Sequence, residues 1–408
     1  MSSVPTSGHD ESAFAPRIVS IDVFRGITIA VMIFVNALAD VKGLPWWTYH
    51  AHVQEDRMTY VDMVFPFFLF IVGMSLPLSV ARRFKRSSSV AGLWVHVLLR
   101  SFGLLVLGLL LANADFADEA RMRMTGSIWA LLGLVSAALY LNVYPNSKRF
   151  PRYPLLLRTL GIVGVVADFA LFRRVTGDGQ VAWIDFSYPE ILGLIGLSYL
   201  AVAILYIPTR SWKWAPFAWF GVLVSLNAIS SAHFLQFPTR LPLYIWPFGN
   251  GAMTSVIMAG VITTYIFLGR EERPTKNRAM IRAVLFGALM MLVGRVLTPL
   301  GISKIRATPT WALYSAGSAI LLFTLLYWIC DIRNQTAWAA LFRKAGSNGL
   351  LTYLLPDIWY FLTVILGLTY LDTHWPLGWE AVVKTVIFTL CILVLASGFT
   401  KAKVRLQL

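Results

Sequence analysis

The chain has 408 residues, of which 57% are hydrophobic and only 13% are charged, and its mean hydropathy is +0.67. Soluble domains are usually about 45–50% apolar and about 25% charged, so too few polar residues are present to cover a water-soluble globule of this length. The net charge of +15 does not indicate nucleic-acid binding, because the basic residues fall between apolar segments rather than on one patch. The composition therefore predicts a protein embedded in a lipid bilayer, with no nucleic acid as a partner.

Twelve apolar segments approach the roughly 20 residues that a membrane-spanning helix needs. Long apolar runs lack the alternation of a transmembrane barrel, and only helices or closed barrels span lipid. The predicted fold is therefore an all-α polytopic membrane protein of about twelve transmembrane helices. The predicted spans are 19–40, 59–81, 90–112, 127–144, 154–172, 189–208, 214–233, 250–269, 279–298, 309–330, 346–368 and 378–400.

The distribution of Lys and Arg predicts the orientation of the chain in the membrane. Basic residues are concentrated after the even-numbered spans, for example in 82–86, 148–152 and 270–278, and fewer follow the odd-numbered spans, Lys304 and Arg306 among them. Positive loops stay in the cytoplasm, so both termini are expected inside and the loop with His50 and His52 outside. Residues 1–17 are predicted to be a flexible cytoplasmic tail, 18–400 the transmembrane domain, and 401–408 a basic cytoplasmic tail.

The first predicted loop and its two flanking spans carry the side chains that indicate chemistry. Asn36 lies near the outer end of the first span, His52 in the loop, and Asp62 just inside the second span. An imidazole can move a proton near neutral pH, a carboxylate can orient it, and an amide can donate to an oxyanion. The structural alternative is an exposed loop histidine beside a helix-capping Thr59, with Asp62 bonded inside the bundle.

Other polar side chains give weaker indications of a functional site. The pair His50-x-His52 is a possible metal site, but neither a Cys nor a second His cluster accompanies it, and no metal is expected. Both cysteines, Cys330 and Cys391, lie inside predicted spans, which argues against a disulfide framework. At the inner ends of the spans, Arg25 and Arg100 each lie a turn or two inside the apolar run, where a charge is costly and indicates a functional site unless it snorkels to headgroups.

Residues 20–75 resemble the start of the heparan-α-glucosaminide N-acetyltransferase family. That family's motif runs S-x-D-x-F-R-G, F-V-N, a His, T-x-x-D-x-V-F-P and I-x-G-x-S. Weaker similarity continues as far as Asn348 and covers most of the membrane domain. The matching segments of this chain are 20–26 (SIDVFRG), 34–36 (FVN), His52, 59–66 (TYVDMVFP) and 71–75 (IVGMS).

The resemblance implies an acetyltransferase that uses cytosolic acetyl-CoA as co-substrate and acetylates the amino group of a terminal glucosamine on the other side of the membrane. It also implies that the active-site histidine lies in this first loop, on the side where the charge distribution places it. His52 would then be the general base, Asp62 would orient its imidazole and Asn36 would stabilise the oxyanion. An acetyl-histidine intermediate is the competing mechanism. Arg25 and Arg100 suit the CoA phosphates, and Asn348 is expected to hydrogen-bond them.

The sequence departs from the family in three ways. The family's His-Ala dipeptide is reproduced by His50-Ala51, whereas the distance to Thr59 and Asp62 selects His52; we choose His52 and keep His50 as the alternative. The separation of Asn36 from His52 is longer than in the family. The spans at 127–144 and 154–172 look like an insertion, and the large lumenal domain of the lysosomal enzyme is missing.

The expected protein is thus a bacterial inner-membrane acyltransferase whose acceptor is glucosamine or a glucosamine-containing sugar in the periplasm. The short tail and the absence of targeting or lumenal modules favour the bacterial location, and a homodimer is a family expectation. Two alternatives remain open. One is an O-acyltransferase that modifies cell-envelope glycans, and the other is a secondary transporter for sugars, which would share the twelve spans.

Overall fold

The computed structural model describes residues 18–39, 41–86, 89–145, 152–235, 248–269, 274–368 and 377–408. The predicted N-terminal tail, residues 1–17, lies outside the described residues. Within those ranges the regular structure is helical apart from one antiparallel hairpin, in which β1 (Arg174–Val175) pairs with β2 (Val181–Ala182).

The helices follow one another along the chain, as apolar runs separated by polar loops predict. Their bounds are α1 Val19–Leu38, α2 Val61–Arg86, α3 Val90–Asn113, α4 Glu119–Met122, α5 Gly126–Leu141, α6 Tyr153–Leu171, α7 Glu190–Thr209, α8 Ala215–Ser231, α9 Ala252–Leu268, α10 Lys276–Val296, α11 Pro309–Tyr327, α12 Ala340–Ser347, α13 Gly349–Ile365 and α14 Gly378–Lys401.

In the described part of the chain, eight helices are long and apolar enough to cross a membrane, namely α1, α2, α3, α6, α7, α10, α11 and α14. Four further apolar helices, α5, α8, α9 and α13, are shorter. Each of the twelve predicted spans coincides with one of these helices to within about three residues at either end, except that α2 continues to Arg86. The helical fold is confirmed, whereas the count of twelve spans and the position of the termini stay predictions.

Close helix contacts depend on glycine. An ideal Cβ on Gly73 of α2 would lie 1.9 Å from the carbonyl oxygen of Ile257 in α9, and one on Gly260 of α9 would lie 2.1 Å from that of Phe70. Because lipid supplies no hydrophobic drive between helices, such small residues allow the close packing that holds membrane helices together. The helices α2 and α9 are therefore tightly packed against each other along their middle turns.

The N-terminal end of α1 is held by a capping interaction that the sequence did not predict. The carboxylate of Asp331, which follows α11, accepts hydrogen bonds from the backbone amides of Val19 at 2.9 Å and Ser20 at 3.0 Å. A carboxylate at a helix N-terminus satisfies free N–H groups and interacts favourably with the helix dipole. This contact fixes α1, the helix that carries Arg25 and Asn36, against α11.

Candidate functional site

Asp62 occupies the first turn of α2 and is 1% exposed. Its Oδ2 accepts hydrogen bonds from the backbone amides of Thr59 at 3.0 Å and Ala51 at 3.3 Å. The Thr59 hydroxyl lies 2.8 Å from the Tyr49 carbonyl oxygen and 3.3 Å from the same Oδ2. These contacts turn the chain so that residues 49–51 lie against the N-terminus of α2, where a carboxylate is favoured.

The second carboxylate oxygen of Asp62 is hydrogen-bonded to His50. His50 Nδ1 lies 2.7 Å from Asp62 Oδ1, and the imidazole side chain is 46% exposed while the carboxylate is 2% exposed. An ionised carboxylate only accepts hydrogen bonds, so Nδ1 carries the proton and Nε2 keeps its lone pair. The pair therefore presents a basic, oriented nitrogen at the edge of the bundle.

The expected contact between His52 and Asp62 is not formed. His52 is exposed, and its backbone amide donates to Glu55 Oε2 at 3.0 Å. The spacing argument assumed a helical register between the histidine and Asp62, but residues 49–60 form a non-helical loop that folds back at Thr59. Chain reversal brings the more distant His50 to the carboxylate, so the alternative kept at the sequence level describes the observed contact.

His50 and Asn36 line one cleft at the C-terminal end of α1 and the N-terminal end of α2, with a space of about 310 Å³ that is open to solvent. The structure thus brings Asn36 and Asp62, two of the three predicted catalytic residues, together with His50, the alternative to His52. The remaining wall is mostly apolar, and electrostatic effects are stronger beside such a surface than in bulk water. Besides Asn36 and His50, it is lined by Met32, Val35, Val61, Val64, Phe65, Phe68, Ile191 and Lys304.

Lys304 is the cleft residue that the sequence did not single out. It lies in the loop between α10 and α11, and its Nζ is 3.5 Å from His50 Nε2. Burial lowers the pKa of Lys304, while the carboxylates of Asp62 and Glu190 act in the opposite direction. Lys304 and His50 are 254 residues apart in the sequence, so no local pattern connects them. In the sequence Lys304 resembles any other basic loop residue.

At the other end of the bundle, Arg25 and Arg100 lie in different helix contacts. Arg25 Nη2 donates to Ser75 Oγ at 3.1 Å, and its Nη1 lies 3.3 Å from the Gly346 carbonyl oxygen. The Arg100 guanidinium stands 5.0 Å from the Tyr199 ring centre, and its Nε is buried without a hydrogen-bond partner among the described residues. Arg25 thus lies in the N-terminal half of α1, and Arg100 lies near the middle of α3.

Asn348 does not present its amide for a ligand. Its Nδ2 donates to Thr400 Oγ1 at 3.2 Å and to the Val404 carbonyl oxygen at 2.9 Å, and its Oδ1 accepts from the Leu406 amide at 3.2 Å. Asn348 is 2% exposed. The expected role in holding CoA therefore does not fit the structure, because this buried amide fastens the C-terminal residues to the bundle.

Comparison with known proteins assigns the chain to a family. A family model described as "Domain of unknown function (DUF5009)" matches residues 17–233, which is more than half of the chain. The chain belongs to the DUF5009 family. The matched range of this DUF5009 protein includes α1, α2 and the His50 loop, and it ends before Lys304.

The DUF5009 protein also resembles two curated enzymes over a short segment. It is 37% identical over 105 residues to heparan-alpha-glucosaminide N-acetyltransferase of Homo sapiens, a match that covers 26% of this chain and 15% of the human protein. It is 34% identical over 102 residues to the enzyme of the same name from Mus musculus, covering 25% of this chain and 15% of the mouse protein. The family resemblance noted in the sequence is confirmed, over a small part of each relative.

Proposed function

We propose that this protein is a transmembrane acetyltransferase. It moves the acetyl group of cytosolic acetyl-CoA to the amino group of glucosamine, or of a glucosamine-containing sugar, on the periplasmic side of a bacterial inner membrane. The observation that carries the proposal is the pair of His50 Nδ1 and Asp62 Oδ1, 2.7 Å apart, with Asn36 in the same cleft. The names of the two similar enzymes support the choice of reaction.

His50, rather than His52, is the proposed reacting group. Because Asp62 holds the proton on Nδ1, Nε2 has a lone pair that faces the cleft. In direct transfer, Nε2 removes a proton from the neutral sugar amine as the nitrogen bonds to the acetyl carbon, and when the C–S bond breaks the CoA thiolate takes that proton from Nε2. In the two-step alternative, Nε2 itself bonds to the acetyl carbon and CoA leaves as the thiolate; the amine then takes the acetyl group, and the freed Nε2 accepts the amine proton. The Asn36 amide donates to the oxyanion in either route.

The donor is proposed to reach this cleft from the cytoplasmic end of the bundle. Arg25 and Arg100 lie within the inner halves of α1 and α3, and guanidinium groups bind phosphates well. The pantetheine arm would extend between helices toward His50. Asn348 has no part in this proposal because its amide is occupied. Assembly as a homodimer is proposed from the family resemblance alone.

The test is transfer of radiolabelled acetyl from acetyl-CoA to glucosamine by the purified protein and two variants. We expect His50→Ala to lose activity by about 10²–10⁴-fold, the usual contribution of a general base. His52→Ala is the matched control, since His52 is exposed and away from Asp62, and it should keep activity.

Other outcomes identify the alternatives. Activity that survives in His50→Ala but is lost in His52→Ala would refute the assignment of the base. Transfer to hydroxyl groups of glycans but to no amino sugar would favour an O-acyltransferase. A folded wild type that neither binds nor consumes acetyl-CoA would refute an acyltransferase and favour the sugar transporter.

A further inference from the structure

Lys304 contacts the atom that the proposed reaction uses. Its Nζ lies 3.5 Å from His50 Nε2, on the opposite side of the ring from Asp62. An ammonium group is a donor only, so this contact is directed at the lone pair of Nε2. Lys304, His50 and Asp62 therefore form one chain of polar contacts that runs from the cleft into the first turn of α2.

The loop that carries Lys304 is fixed on both sides. Asp56, from the His50 loop, forms an ion pair with Arg306 and accepts a hydrogen bond from the Ile302 amide at 3.3 Å. The carbonyl oxygen of Ala307 accepts from Asn227 Nδ2 at 2.9 Å and Asn250 Nδ2 at 2.8 Å.

Two further features show that this backbone is held in place. Ala307 has φ of 48°, a left-handed conformation that a non-glycine residue adopts only where its surroundings impose it. Just beyond it, Trp311 Nε1 donates to the backbone carbonyl oxygen of Asp62 at 3.0 Å. The start of α11 is thereby tied to the residue that orients His50, so Lys304 and His50 keep a fixed relation.

We propose that Lys304 is a further catalytic residue, whose ammonium stabilises the negative charge on the acetyl oxygen during transfer. The inference rests on the proposed function. When the acetyl carbon binds Nε2, or when Nε2 takes the amine proton, the carbonyl oxygen becomes negative beside Nε2. The Nε2 lone pair that faced Lys304 then forms the new bond to carbon or hydrogen. The Lys304 ammonium loses this contact and donates to the oxyanion instead. No proton leaves Lys304 in this step; as the C–S bond breaks, the carbonyl re-forms and CoA departs.

The surroundings favour this role. Burial lowers the pKa of Lys304, and the carboxylates of Asp62 and Glu190 oppose this effect by favouring its charged form. The cleft is largely apolar, and a cation in such a site acts more strongly on a developing anion than one in water does. Asn36 lines the same cleft and supplies a neutral donor. The oxyanion is thus stabilised by one charged group, the Lys304 ammonium, and by one amide.

The experiment compares Lys304→Met, Lys304→Arg and the control Lys42→Met, which removes an exposed lysine of the first outer loop away from the cleft. Release of the CoA thiol is measured with glucosamine as acceptor, with kcat and KM determined separately and folding checked by thermal unfolding. We expect Lys304→Met to lower kcat by about 10²–10³-fold, as loss of one oxyanion donor does, with both KM values nearly unchanged. Lys304→Arg should recover at least part of kcat, and Lys42→Met should match the wild type.

Each result decides the inference. Lys304→Met with wild-type kcat, or with a loss confined to KM, overturns it. If Lys304→Met does not fold, Lys304→Gln is measured in its place. A folded Lys304→Arg protein that is no more active than Lys304→Gln then overturns the inference as well. Failure of the proposed function looks different, because the wild type would then release no CoA at all.

Discussion

Replacing Asp62 with asparagine separates the electrostatic role of this carboxylate from its structural role. The asparagine oxygen can take the place of Oδ2 and keep the hydrogen bonds from the Thr59 and Ala51 amides. Its NH₂ group then faces His50 Nδ1, which must give up its proton to accept. The imidazole therefore changes to the tautomer with hydrogen on Nε2, and Nε2 can no longer take a proton or attack the acetyl carbon.

The two effects of this substitution differ in size. A wrong imidazole tautomer lowers kcat by about 10⁴-fold in a serine-protease triad, and we expect a loss of about 10³–10⁴-fold here, equivalent to about 4–5.5 kcal/mol in the activation barrier. Stability should fall by only about 1–3 kcal/mol, because one charge-assisted hydrogen bond is replaced by a weaker one. CoA release and thermal unfolding are measured on the same protein preparations.

The matched control for Asp62→Asn is Glu55→Gln. Glu55 lies in the same loop and accepts from the His52 amide and from Arg57, so neutralising it changes the loop charge without touching His50. We expect Glu55→Gln to keep kcat. An Asp62→Asn protein that retains kcat within tenfold of the wild type would refute the argument that the carboxylate sets the tautomer of the reacting histidine.

Three further predictions concern the bundle and the donor end. Gly73→Ala should lower the free energy of unfolding by about 1–3 kcal/mol or more, because its Cβ would lie 1.9 Å from the Ile257 carbonyl oxygen, whereas Gly221→Ala meets nothing within 4 Å and should be neutral or stabilising in thermal unfolding. Asn348→Ala should make the C-terminus sensitive to carboxypeptidase, since three hydrogen bonds to that segment are lost; unchanged digestion would contradict this. Arg100→Gln should raise the KM for acetyl-CoA at least tenfold with kcat retained, and an unchanged KM would remove Arg100 from the donor site.

The helical fold was predictable because each element is a local property of the sequence. An apolar run of about 20 residues folds as a helix in lipid whatever its neighbours are, and the predicted span 378–400 corresponds to α14, Gly378–Lys401. The short helix α12 escaped this criterion, since eight residues of mixed polarity resemble a loop. It lies between α11 and α13, so the predicted span at 346–368 began too early.

The site was predictable only in part, because it depends on chain reversal and on contacts between distant residues. Asp62 was expected to orient a histidine, and Asn36 to lie near it. The choice between His50 and His52 depends on the path of a non-helical loop, which the Thr59 contact to Tyr49 determines. Lys304 reaches the site from another loop altogether, and Asn348 is occupied by a C-terminal segment whose return to the bundle leaves no pattern in the sequence.

The gradient of exposure across the site explains how a buried charge is kept at the start of α2 without being neutralised. Asp62 is buried, but His50, Ala51 and Thr59 donate to its oxygens and the N-terminus of α2 stabilises its charge. With both oxygens engaged, the carboxylate is linked by hydrogen bond to the cleft through the imidazole, whose side chain is 46% exposed. In the structure, Lys304 Nζ contacts His50 Nε2. A substrate must displace the lysine to reach Nε2, so substrate binding and release of the lysine ammonium are coupled in the same step.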